Sequence, residues 1–106
     1  MPFTGQENHN IAINDAVVLT RKYQNANAAD PNLIKGVFFG KDALMKILNQ
    51  TNCVGVRCYF AVNDKEQRTL VLVGASADQK DMTNGAVLEW ALPCPPFCDD
   101  TSLFVK

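Results

Sequence analysis

From Val54 the hydrophobic and polar positions alternate with a period of two. Val54, Val56, Cys58, Phe60 and Val62 fall on one side of an extended chain, and Gly55, Arg57, Tyr59, Ala61 and Asn63 on the other. NDKEQ reads as a turn and TLVLVGA, Thr69 to Ala75, as a returning strand, so the pair predicts an antiparallel hairpin with a loop of about four residues. The polar run SADQKDMTNG predicts a wide loop, and AVLEWAL after it predicts a third strand. The chain from Pro93 onward is excluded from a central strand, because proline has no ladder donor.

Before Val54 the period is helical. Asn14 is the expected cap of a first helix, Asp15 suits the positive end of its dipole, and Ile13 and Val18 stand at the spacing of a hydrophobic staple. Val18 or Leu19, followed by Lys22 or Tyr23, continues an amphipathic helix to the neighbourhood of Asn25. NANAADPN ends it, since Asp30 precedes Pro31 and is pushed away from helical dihedrals. Leu33 to Phe39 reads as a brief strand or an extended lead-in. In KDALMKILNQ, Leu44, Ile47 and Leu48 recur at helical spacing and mark a second helix, with Asn52 as its stop. The expected fold is therefore α+β. Two N-terminal helices pack on an antiparallel meander of about three strands, closed by a proline-rich tail, in one domain over residues 1–106 with flexible ends at 1–10 and 99–106.

Composition narrows the functional classes. The chain has 106 residues, enough for one core. Ten Lys and Arg against eleven Asp and Glu leave it near neutral, and no basic run offers a footprint for nucleic acid or an anionic membrane. The start has no basic region followed by an apolar stretch, so a cytoplasmic location is expected, and with it reduced thiols as the default.

The motifs CVGVRCYF, TLVLVGASAD and LPCPPFC together resemble a family of small uncharacterised bacterial proteins with a related Cys-Val-Gly, strand, turn, TLVLVG and Cys-Pro-Pro-aromatic-Cys series. The resemblance spans roughly the second half of the chain, implies no activity, and carries no functional residue across. Cys58 departs from that family's pattern.

Four cysteines leave three readings open. As thiolates they are zinc ligands, although C-x4-C and C-x3-C only approach the usual C-x2-C spacing. Cys53, Cys94 and Cys98 are the candidate metal set, because the start of the hairpin and the end of the third strand can meet at one sheet edge. As a redox pair, Cys94 and Cys98 face a geometric condition. Four residues in polyproline II geometry span about 12 Å, whereas a disulfide needs Cα atoms within about 7 Å, so chelation or bonding requires a bend or a cis proline. In the third reading the cysteines are small buried hydrophobes, and the prolines with Phe97 lie across the sheet as a lid.

Other constellations fail on their chemistry. Lys80 and Met82 occupy positions of Asp78–Glu89 where a calcium loop needs oxygen ligands. Gly36 and Gly40 are isolated and form no phosphate loop, GASAD lacks the nucleophile-elbow pattern, and the single histidine, His9, lies in a polar stretch away from any nucleophile. No catalytic residue is assigned. What stands out instead is that both faces of the expected sheet carry apolar residues, so something covers the second face: the LPCPPFC segment, the first helix or another copy of the chain. Arg57, Tyr59, Trp90 and Phe97 are the candidate contact residues, Arg and aromatic side chains being favoured at interfaces. The expectation is a small non-enzymatic module that binds a protein partner or itself, as a homodimer. The alternative is a thiol module that binds zinc or senses oxidation. A small-molecule pocket between helices and sheet is a third possibility with no residue specifically in its favour.

Overall fold

The computed structural model describes residues 2–105 and shows a mixed α+β chain. Helix α1 spans Ile13–Ala26, strand β1 Gly36–Phe38, helix α2 Lys41–Leu48, and strands β2 to β5 span Cys53–Val62, Arg68–Ser76, Val87–Leu88 and Leu92–Cys94. A three-stranded antiparallel sheet has the order β2-β3-β4, and a second sheet pairs β1 with β5, also antiparallel.

The hairpin is the organising element. Its register runs from Val62↔Arg68 to Val56↔Gly74, with a bulge between Cys53 and Gly55 where the alternation slips. Strand β3 lies centrally, and Leu72, Val73 and Ala75 on it are buried; with Val17, Ile34 and Ile47 they form the apolar core. Thr69, also on β3, is buried but satisfied, because its hydroxyl donates to Glu89 Oε1 at 2.8 Å.

Helix α2 delivers the wholly buried Ile47 to this core, and the short link to β2 turns at Asn52, whose φ is 71°. At the junction Gln50 acts as a bracket: its Nε2 donates to Ile47 O at 3.0 Å and its Oε1 accepts from Ala86 N–H at 2.9 Å. Glycine leaves room for it on β3, since a Cβ at Gly74 would stand 2.9 Å from Gln50 Nε2 and 3.2 Å from Cys53 Sγ and would push the bracket aside. The turn sequence after Leu48, with Asn49 as C-cap, ends the helix before Asn52.

Helix α1 differs from expectation at its start and in its inner face. Its N-cap is Ala12, with no side-chain cap bond, so Asn14 lies inside the first turn beside Asp15. Val17 is the buried position, with Ala16, Thr20, Tyr23 and Gln24 half-buried along the same stripe, while Val18 and Leu19 are exposed.

The third strand is also corrected. AVLEWAL forms two short strands in two different sheets, separated by a corner at Glu89–Ala91. Trp90 there has φ 60°, the left-handed region that bulky residues avoid. The corner is held by the Glu89 carboxylate, which accepts from the Ala91 N–H at 3.2 Å as well as from Thr69. An alternating apolar pattern cannot register this competition, because the deciding group is a carboxylate reaching a buried hydroxyl from a neighbouring strand. Downstream, the tail does not simply close over the sheet: Leu92 and Pro93 pair with Phe38 and Val37 in β1. The terminal turn Leu103–Val105 docks on α1 and on Lys35 just before β1, with Gln24 Nε2 donating to Phe104 O at 2.7 Å and Lys35 Nζ to Val105 O at 3.3 Å.

The packing is open. The radius of gyration is 15.4 Å, against about 13 Å for a compact chain of this length.

Candidate functional site

Two places gather residues that the sequence singles out, and a third gathers others. The first is LPCPPFC. Cys94 and Cys98 are joined as a disulfide with Cα atoms 4.7 Å apart, and the peptide bonds Cys94–Pro95 and Pro95–Pro96 are both cis, so the bend that the spacing required is present. Phe97 N–H donates to Pro93 O at 2.9 Å across this loop, and the Phe97 ring is exposed. The three-cysteine metal set is not assembled. Cys94 and Cys98 bond to each other, while Cys53 is a free thiol whose Sγ donates to Gly55 O at 3.2 Å. Among the described residues no group of three or more His, Cys, Asp or Glu side chains is placed to hold a metal. Cys58 is free and exposed on β2. The expectation of four reduced thiols does not describe this pair.

The second place contains Arg57 and Tyr59, read from the sequence as outward-facing contacts. Both turn toward Asp81 of the loop before β4: Arg57 Nη1 lies 2.6 Å from Asp81 Oδ1, and Tyr59 Oη donates to Asp81 Oδ2 at 2.5 Å. Arg57 also donates to Gln79 O at 3.2 Å and sits 5.5 Å from the centre of the Phe3 ring. The Tyr59 hydroxyl, together with Arg57, holds the Asp81 carboxyl below the usual carboxylate range, and the same hydrogen bond to Asp81 raises Tyr59 above the usual phenol range. The isolated bridge Ala75↔Asp81 folds the loop back to make this possible. These two residues thus staple their own loop to β2, and much of their donor capacity is used within the chain. Asp81 carries no signal in the sequence, because it sits in a polar loop with no periodicity to place it.

The third place was not foreseen residue by residue. Between α1 and the turn end of the hairpin runs an open groove of about 880 Å³, lined by apolar side chains including Leu19, Val37, Phe60, Val62 and Leu70. One end is polar. Tyr23 Oη donates to Ile34 O at 2.7 Å and accepts from Arg68 Nη1 at 3.1 Å, and Arg68 Nη2 reaches Asn27 Oδ1 at 3.4 Å while its guanidinium stacks 5.5 Å from the Tyr23 ring. Lys35 lies next to this cluster.

Large apolar side chains remain uncovered beyond the groove. Trp90, the single tryptophan, is 93% exposed and Phe60 95%, and Phe38 and Leu92, register partners in the small sheet, are both exposed. Among the described residues no helix is long and apolar enough to cross a membrane. No known protein family, curated protein or solved structure matches the chain.

Proposed function

We propose that this protein is a small non-enzymatic interaction module that associates with a protein partner or with a second copy of itself through Trp90, Phe97 and the Phe38–Leu92 pair. One observation carries the reading: the accessible surface is 7987 Å². A compact monomer of this mass exposes about 5,900 Å², and the excess of roughly 2,000 Å² is larger than the about 800 Å² one partner contributes to a standard interface. Much of the uncovered surface is apolar and aromatic, and exposed aromatic residues are the usual anchors of an interface.

The single tryptophan makes the test direct. Sedimentation velocity over a wide concentration range, read alongside Trp90 emission, should show either a dimer with blue-shifted emission, or a monomer in which a photo-crosslinker at position 90 captures one defined partner in cells. Trp90→Ala should abolish the dimer, and Phe97→Ala should abolish capture by the crosslinker at position 90. A monomer at all concentrations with no crosslinked product overturns the proposal.

A second reading, a redox-responsive thiol module, is favoured by the Cys94–Cys98 disulfide. Reduction by a dithiol transfers two electrons and two protons, giving two thiols here and a disulfide on the reagent. The reading requires the pair to be oxidised only under oxidant stress, which differential alkylation in cells measures. A cytoplasmic location belongs to the same proposal as the interaction module. The disulfide weighs on the other side, since structural disulfides are rare in that compartment.

A further inference from the structure

The groove between α1 and the hairpin carries an inference of its own, independent of the association surface. Its walls are apolar along most of their length, and its volume of about 880 Å³ falls in the range of about 300–1,000 Å³ typical of small-molecule sites. No Asp or Glu lines it, whereas two cations do, Lys35 and Arg68. Arg68 stands at the end where Tyr23 Oη also meets the carbonyl of Ile34, and Lys35, the next residue in the chain, lines the same groove.

Among the described residues neither cation has an acidic partner. The ion pair formed among the described residues is Arg57–Asp81, at a different site, and Lys35 and Arg68 meet only neutral oxygens: Val105 O for Lys35, and Tyr23 Oη with Asn27 Oδ1 for Arg68. A groove with an apolar body and two cations in its lining, neither with an acidic partner among the described residues, is complementary to a molecule with an apolar tail and an anionic head.

We infer that this groove binds a single-chain fatty carboxylate, with the chain laid between Leu19 and Leu70 and the carboxylate at Arg68 and Lys35. Arg68 is suited to the head because its guanidinium is already oriented by Tyr23 and Asn27, so few rotamers remain to be fixed on binding. The tail would cover the apolar lining that α1 leaves open.

The experiment uses the whole chain and sodium dodecanoate below its micellar concentration, followed by methyl NMR and calorimetry. Dodecanoate is expected to saturate at one site and shift the methyls of Leu19, Val37 and Leu70 while leaving Ile47 still. Dodecanol, with the same chain and no charge, should bind about tenfold or more weaker, the usual scale of a lost charge-assisted contact. Lys35→Glu and Leu19→Glu change exposed residues, so the fold survives, and each should weaken dodecanoate by a similar factor.

Equal affinity for dodecanoate and dodecanol, or an unchanged affinity in Lys35→Glu, overturns the inference, as does a shift confined to Trp90 and Phe97. So would binding to anionic vesicles without binding to monomeric dodecanoate, which would make the groove a membrane contact. Shifts of the same methyls on raising protein concentration without ligand would assign the groove to a second copy and equally remove the fatty carboxylate.

Discussion

The two ends of the hairpin are built from similar residues and meet different fates. Where α2 arrives, Leu72, Val73, Gly74 and Ala75 of β3 are buried and Ile47 is sealed from solvent. At the turn end, Leu70 is only half-buried, and Phe60 and Val62 stand out in solvent below a helix that does not close on them. Two physical differences account for this. The link from α2 to β2 is short and its Gln50 is bonded into both α2 and the segment before β4, so the helix is held against the sheet. Gly74 and Ala75 are also small enough to admit it. At the other end α1 reaches the hairpin through the Arg68–Tyr23–Asn27 cluster at its C-terminal turn, and bulky side chains stand between helix and sheet. Apolar alternation shows which side chains call for cover, and tethering plus side-chain size decides whether the chain itself supplies that cover.

The sharpest way to break this contrast is a pair of truncations. Ile47→Ala should lower stability by about 2–5 kcal/mol through lost burial and an unfilled cavity, whereas Phe60→Ala should stay within about 0.5 kcal/mol, as surface changes do. Urea unfolding measures both, and comparable losses would mean that the turn end is closed in solution. An intermediate effect is expected at Thr69, the buried polar residue near the turn end. Thr69→Val leaves the Glu89 carboxylate without its hydroxyl donor and should cost about 1 kcal/mol or somewhat more, with loosening of the Glu89–Ala91 corner visible as faster amide exchange at Ala91. A neutral result would show that the corner is held by the backbone alone.

The smallest effect concerns the loop staple, and its signature is pH dependence. Asp81 titrates below the ordinary carboxylate range in the folded chain and within it when unfolded. Its contribution is therefore fully present above the unfolded value and is lost as pH falls through the depressed folded value. Asp81→Asn should lower stability near neutrality and flatten that acid limb, so that variant and parent converge at low pH. Tyr59 has the opposite sense. Its raised folded value gives a contribution that is present below the unfolded phenol pKa, about 10, and lost as alkaline pH rises through the folded one. Tyr59→Phe should remove it. Acid and alkaline limbs that the two variants leave unchanged would show that Asp81 is not bonded to β2 in solution.

The legible parts of the molecule were those fixed by local periodicity. The hairpin and the two helices follow from spacing that a short window contains, whereas Leu33 to Phe39 leaves a brief strand and an extended lead-in both open, and Gly36–Phe38 is a strand. The start of α1 was misplaced because a capping residue is recognisable by type, while its use depends on a hydrogen bond that Asn14 does not make. The third strand broke for a reason on the neighbouring strand, at Thr69. Arg57 and Tyr59 read as contacts with other molecules until the loop brought Asp81 back to them. The Cys94–Cys98 spacing stated its own condition, a bend, but could not say that it would be met. The groove was the least legible feature, since it is defined by where α1 stops short of the sheet.

The pairing of β1 with β5 also sets an order of events. Its partners, Gly36 with Cys94, lie roughly sixty positions apart along the chain, whereas the hairpin closes over a short turn, and pairings that must close long loops form late because the entropy of closure comes before the reward. During refolding the hairpin is therefore the early scaffold and the small sheet a late clasp. The carbonyl of Ile34 that anchors Tyr23, and Val37 on the groove wall, lie on or beside that clasp and are expected to settle when it closes. A nascent chain would display its hairpin apolar face for some time before the groove takes its final form.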